Sequence, residues 1–462
     1  MAAAADVATV AGVAAVVVVV AVVAARAAMA ALERLLGVAL LLGLSGGAAQ
    51  AEQKVFGPKD DWCAAFKEAA PGDEILLRKG VYLTPCTIRA RGTADKPITL
   101  RSENPRSGHR AVIAYGGDKA NVLDIRESSH LIIQDLDITA RSKNAEGIKV
   151  YETHDVTIQR CRLHRLAGVS IAANSANTER LTIRGNEFKN LRATAIYVGC
   201  HDGKQCIAKD VLIEHNLISG AMPRDDRVGY GIQVKLNSNA VIRDNSVYDT
   251  KGPGIIVYGN DNPAGPASLI EGNYVQRSAW DGGIVAGGGP ALIRNNITID
   301  NGLSGIVAQD YQSRGFQHGV KIVHNTLVNN LRGGITVERW SFDKGNVIAN
   351  NLIVGTPDQQ PIKPTRPDGL VRGNADCPSA STCLLAATEP PFDFRLQPTS
   401  ELRGSVEMGE EDWWPKDDFL GLPREAKTSP GAFGKRYPAS LDNALIGDHE
   451  ARPARVGANF RE

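Results

Sequence analysis

The sequence is poor in aromatic residues, which make up 5% of its 462 positions. Neither charge is in excess: 52 lysines and arginines stand against 51 aspartates and glutamates, for a net charge of +1. A balance so near neutral gives no general attraction to nucleic acid or to a membrane surface. No cysteines stand as Cys-x-x-Cys and no histidines fall at zinc spacing, so no metal site is read from them. A low-complexity tail is also missing, and 43% hydrophobic residues leave enough apolar surface for a sizeable core. What the chain has in quantity is glycine, 47 residues, which with few aromatics favours repetitive, tightly turned β structure.

Two apolar stretches open the chain, at 7–25 and 35–44. The second reads as a secretory signal, with Arg34 before it and Ala49-Gln50-Ala51 as a small-x-small cleavage site. Cleavage is expected after Ala51, giving a periplasmic or secreted protein. The Ala/Val-rich first stretch is long enough to span a bilayer, so membrane anchoring stays open as an alternative. Seven cysteines suit an oxidising compartment. Cys200 and Cys206 flank a short polar loop, Cys377 and Cys383 another, and Cys63 and Cys86 bracket the first ordered segment. Three local disulfides are expected, with Cys161 left over.

Two phrases recur every 20 to 30 residues, a period that marks a solenoid. One is a small residue followed by alternating hydrophobics, as in Gly147-Ile148-Lys149-Val150, Gly168-Val169-Ser170-Ile171-Ala172, Gly231-Ile232-Gln233-Val234 and Gly334-Ile335-Thr336-Val337. The alternation predicts strands with Ile and Val pointing inward. The other centres on an asparagine, at Asn186, Asn216, Asn245, Asn273, Asn296, Asn325 and Asn351. Asparagine tolerates left-handed backbone and its amide can bond neighbouring turns, so a ladder is expected. Cys161 holds the equivalent place one coil earlier and is read as a buried ladder residue rather than a nucleophile. Coils are traced over 74–355. Residues 52–73 form an N-terminal cap with an amphipathic helix at 62–70, and 356–462 hold the last coils and a tail packed along them. The fold class is thus all-β: a single-stranded right-handed parallel β-helix with an N-terminal capping helix.

The stretch Pro71-Gly72-Asp73-Glu74-Ile75-Leu76-Leu77 and the run Lys96-Pro97-Ile98-Thr99-Leu100 resemble the first rungs of the pectin-lyase-like superfamily of right-handed parallel β-helices. Asp393-Phe394-Arg395-Leu396 and the segment from Asp418 to Phe433 are similar to the last rung and tail of its bacterial polysaccharide lyases. This resemblance covers nearly all of the chain after residue 51. It implies a fold, whereas many chemistries share the scaffold.

In such a solenoid, outward residues of one sheet form a shallow groove whose repeat of about 4.8 Å per coil suits an extended polymer. The outward column is read as Arg126, Tyr151, Ala172, Gly199, Lys235, Tyr258, Gly287, Gln309 and Glu338, with Lys149, Tyr197 and Gln233 two positions earlier in their strands. Lys235 and Tyr258 stand side by side at its centre. Cleaving a uronate polymer by β-elimination needs a base for the proton α to a carboxylate and an acid for the leaving oxygen; a lysine of depressed pKa and a tyrosine can serve. The loop at 222–230 and the Cys200–Cys206 loop with His201 are read as the lips of one cleft. Substrate contacts are therefore assigned to Lys149, Tyr151, Tyr197, His201, Tyr230, Gln233, Gln309, Glu338 and Arg339. Asp310-Tyr311 and Asp261-Asn262 are further loop candidates, and Trp340 is either a sugar-stacking residue or a packing one.

Gln233-Val234-Lys235-Leu236-Asn237-Ser238 with Gly254-Ile255-Ile256-Val257-Tyr258-Gly259 is similar to the core of polysaccharide lyase family six, the alginate lyases and chondroitinase B. There a strand ending in Val-Lys-Ser supplies the base, which implies that role for Lys235. The family's Arg-His-Gly one coil later is Val257-Tyr258-Gly259 here, so its acidic arginine is replaced. Its calcium-binding carboxylates ahead of the lysine are unmatched by Val228-Gly229-Tyr230-Gly231-Ile232, and no metal ligand is assigned. The expected partner is an acidic polysaccharide bound by a monomer, without nucleic acid. Elimination is the first reading; C5-epimerisation, glycoside hydrolysis and noncatalytic binding remain open.

Overall fold

A computed structural model describes residues 51–434, apart from 107, 143, 316, 341–343, 357–358, 365–369 and 387–392. The expected export segment before Ala51 and the end of the tail lie outside the described residues. Alternating inward hydrophobics fold the chain into a right-handed parallel β-helix. Each coil carries short strands in three directions, and equivalent strands of successive coils pair in parallel. Among the described residues this builds three sheets of 15, 12 and 11 strands. The first sheet includes Val211–Glu214, the second Leu217–Ala221 and the third Ile232–Val234. In the third sheet the register stacks Ile148, Ile171, Ile196, Ile232, Ile255, Ile284, Ile306 and Ile335, all fully buried. Each such side chain contributes about 1.5–3 kcal/mol of burial.

The asparagines form the expected ladder at the turn between the first and second sheets. Asn216 is typical: its Nδ2 donates to the Ile183 carbonyl and to Asn245 Oδ1, and its own Oδ1 accepts from the Asn186 backbone and side chain. The chain of contacts runs on to Asn374, one rung beyond the expected set. Cys161 caps the other end, its N–H donating to Asn186 Oδ1 at 2.9 Å and its thiol fully buried. Burial pushes that thiol up to about 12, which keeps it unreactive. One detail differs from expectation. The left-handed residue is the one before each ladder position, as in Arg160 before Cys161 and His215, Asp244, Asn295, His324 and Asn350 before asparagines. The ladder asparagine itself is free to aim its amide at the stack.

At the N-terminal end the expected amphipathic helix is a shorter 3-10 helix, Trp62–Lys67, which buries Trp62 and Phe66 over the first coil. Asp61 caps its start by accepting from the Ala64 N–H, and Asp73 captures the Ala70 N–H, so the chain turns before another helical turn can form. Strand Gln53–Phe56 pairs with Glu74–Leu77 beneath it. At the other end, Phe394, Phe419 and Phe433 of the tail cover Tyr248, Tyr274 and Ile299 on the outside of the second sheet. Three disulfides join Cys63 to Cys86, Cys200 to Cys206 and Cys377 to Cys383.

Several surface arginines meet a carboxylate of the preceding coil. Arg101–Glu74, Arg160–Asp135, Arg180–Asp155, Arg243–Glu214, Arg277–Asp249 and Arg294–Glu271 lie 2.6–3.0 Å apart. No helix among the described residues is long and apolar enough to cross a membrane.

Candidate active site

Strand pairing sets Tyr197 beside Gln233 and Val234 beside Val257 in the third sheet. One residue further on, Lys235 and Tyr258 follow in register, their N–H groups donating to Val198 and Val234. Glycines flank the pair in the same column. At Gly199, φ is +84° and a Cβ would meet Ser238 Oγ at 2.3 Å and Lys235 Cβ at 3.1 Å. The lysine lies over that bare backbone. The column itself needs one correction: pairing of Lys149 with Ala172 places Ala172 in the row of Tyr197 and Gln233, so Asn174 holds the expected position.

Lys235 is 2% exposed. Its Nζ sits 4.0 Å from the centre of the Tyr258 ring and 5.7 Å from that of Tyr197. Burial, with a smaller push from the Arg314 charge, lowers its pKa to about 8. Tyr258 is 3% exposed, and burial holds its phenol well above the usual range. Gln233 Nε2 donates to Tyr258 Oη at 3.2 Å, Tyr230 shares a hydrogen bond with it, and Tyr311 packs edge-on at 4.8 Å between ring centres. The site thus places an amine that loses its proton easily against a phenol that keeps its own.

These groups open into a cleft of about 560 Å³. Of the proposed contacts, Lys149, Tyr197, His201, Tyr230 and Gln233 line it together with Lys235 and Tyr258. One wall comes from the disulfide-closed loop carrying His201, and another from the 222–230 loop through Arg227, Val228 and Tyr230. Glu146, Thr194, Arg227 and Tyr311 also line it. Of these, the sequence pattern pointed to Tyr311 and to the loop of Arg227. Glu146 and Thr194 precede their strands, where the alternation carries no signal.

Four proposed contacts do not reach the cleft. Tyr151 lies under the Arg126 guanidinium at 3.8 Å, two coils earlier than Gly199. Gln309 and Glu338 follow Gly287 further along the column, and Arg339 is held by Asp310 at 2.9 Å. Trp340 is buried against the core and is a packing residue.

Glu146 is the carboxylate among the residues lining the cleft, and it pairs with Lys149 at 2.8 Å. That donor set does not fit a calcium ion, which takes six to eight oxygens. Elsewhere among the described residues, His130, His154 and Asp155 approach metal-ligand geometry. Arg180 already bridges both oxygens of Asp155, at 2.8 and 2.9 Å.

A family model described as a right handed beta helix region matches residues 111–222 and 204–362, together more than half of the chain. Uncharacterized protein YwoF of Bacillus subtilis (strain 168) is 23% identical over 318 residues, 63% of this chain. The match spans 62% of that protein's length, less than two thirds. Among solved structures, the A-module of mannuronan C-5 epimerase AlgE6 from Azotobacter vinelandii superposes with a TM-score of 0.51 at 16% identity, over 70% of this chain and 91% of that one. An alginate lyase from Paenibacillus sp. str. FPU-7 gives 0.42 at 18% identity, over 71% and 99%. At these identities the likeness is one of fold.

Proposed function

The chain belongs to the right-handed β-helix family, and on that scaffold we propose that the central cleft cleaves an acidic polysaccharide by β-elimination. The observation that carries this reading is the buried Lys235 amine, its pKa lowered to about 8, stacked 4.0 Å from Tyr258. In the step, neutral Lys235 takes the proton α to a uronate carboxylate. The electron pair forms a carbon–carbon double bond as the glycosidic C–O bond breaks, and the leaving oxygen takes a proton from Tyr258. Charge developing on the carboxylate is met by Lys235 itself as it takes the proton, with Arg227 and Lys149, which pair with Asp225 and Glu146, also on the cleft lining. Gln233 and Tyr230 hold Tyr258 in place.

Hydrolysis by paired carboxylates fits less well, because Glu146 has no second carboxylate among the described cleft residues. Epimerisation would share the same proton abstraction but return a proton to carbon instead of breaking the C–O bond. The three disulfides support a working place outside the reducing cytoplasm.

The test is ultraviolet absorbance of unsaturated uronates during incubation with a panel of acidic polysaccharides. Wild type is expected to generate it, and Lys235→Ala to lose at least about 1000-fold in rate, the order expected for removing a general base. No absorbance from wild type on any uronate polymer sinks elimination. Inverted sugar stereochemistry without absorbance would instead indicate epimerisation.

A further inference from the structure

Beside the cleft lies a second groove, of about 820 Å³, on the turn that leaves the second sheet. Four successive coils each place an arginine there: Arg141, Arg165, Arg192 and Arg224, the first three directly after strands ending at Ala140, His164 and Leu191. All four are exposed, and the groove lining holds no carboxylate. Several arginines elsewhere on this surface pair with an acid of the preceding coil, as Arg160 does with Asp135. Among the described residues none of these four is in an ion pair. Four like charges brought into one groove by four successive coils repel one another and set up a positive field that an anionic ligand would relieve.

The groove adjoins the cleft. Ala167 and Arg192 line the one, while their neighbours Gly168 and Ala193 line the other. Arg227 stands at the join, donating to the Ala167 carbonyl at 2.8 Å.

We infer that these arginines form a second binding surface, a track for an anionic polysaccharide chain continuous with the segment held in the cleft. This rests on the reading that the cleft takes an acidic polymer. One guanidinium from each of four successive coils gives several contacts along an extended chain crossing the groove, and a guanidinium donates two parallel bonds to a carboxylate. The track would hold a long polymer while the cleft acts on one linkage.

Affinity electrophoresis of the full chain through gels containing polygalacturonate or alginate, with a neutral glucan as control, tests this without requiring activity. Wild type is expected to be retarded by the acidic gels alone, less so at raised salt. Arg165→Gln/Arg192→Gln should bind about ten-fold more weakly, the size expected for losing two exposed charge contacts. Arg165→Lys/Arg192→Lys should stay within a few-fold of wild type. Unchanged thermal midpoints confirm that the variants fold. Equal retardation of the glutamine variant and wild type overturns the track, as does absence of wild-type retardation, whatever the cleft does. Tighter binding to single-stranded DNA of matched charge overturns the polysaccharide assignment. Arginine-dependent retardation without unsaturated products would overturn elimination and leave the track standing.

Discussion

An amine withdrawn from water destabilises the fold whenever it carries charge, and Lys235 is 2% exposed. Its pKa is lowered from 10.5 to about 8. The folded state therefore resists protonation more than the unfolded chain does. Stability from this group is fully present above the unfolded value, falls as pH drops towards 8, and is flat below it. Replacing the amine by an apolar side chain of similar length removes that cost. Lys235→Met is expected to stabilise the protein by on the order of 1–3 kcal/mol at pH 7, with the gain fading as pH rises to 10.5. Denaturant unfolding at pH 7 and pH 10 measures the difference, and a variant less stable than wild type at pH 7 would refute it. The same shift sets the pH profile: cleavage should rise towards pH 8 as the neutral amine accumulates and level off above it.

At the scale of one turn, the asparagine ladder turns a weak local preference into a stabilising stack. Asn245 donates to the Ile213 and Arg243 carbonyls and to Asn273, while accepting from Asn216. Removing it strands buried backbone groups on both sides, each costing about 1–3 kcal/mol. Asn245→Ala is expected to lower stability by about 2–4 kcal/mol, read as a shifted denaturant midpoint at constant slope. Cys161→Asn should lose nothing, since its thiol already faces the Ile133 carbonyl that an amide there would bond. A neutral Asn245→Ala would show that water replaces the ladder. These asparagines were legible in the sequence because every coil repeats them. Strand register was less so. The reading that put Ala172 in the column of Tyr151 is two residues from the observed Asn174. A shift of two keeps every side chain on its own face, so hydrophobic alternation cannot detect it. The cleft shows the same limit: Lys235 and Tyr258 stand on repeating strands and were found, while Glu146 and Thr194 are brought in by turns whose path no pattern encodes. Tyr151, Gln309 and Glu338 fit the column but lie in coils that the loops do not wall, and Arg339 stands one residue past the column.

A solenoid gains stability coil by coil, and its free ends and outer apolar faces need cover. Trp62 and Phe66 supply this at the start. The tail supplies it along the later coils, with Phe394, Phe419 and Phe433 over the second sheet and Trp414 over Val323, Val347 and Ala349 of the first. Hydrogen bonds fix its path: Asn295 Nδ2 donates to the Asp417 carbonyl at 2.7 Å, Arg424 to Asn295 Oδ1 at 2.8 Å, and Ala432 N–H to Thr326 Oγ1 at 2.9 Å. Four buried aromatic side chains at about 2–3 kcal/mol each come to about 10 kcal/mol, comparable with the whole stability of an ordinary domain. A chain ended before Asp393 leaves Tyr248, Tyr274, Ile297 and Ile299 facing water. It is expected to bind a hydrophobic dye, to melt at least about 10 °C lower, and to be cut first by protease in its last coils. A truncated chain that melts with wild type and binds no dye would mean that the tail only lies on the β-helix, and that the coils hold themselves.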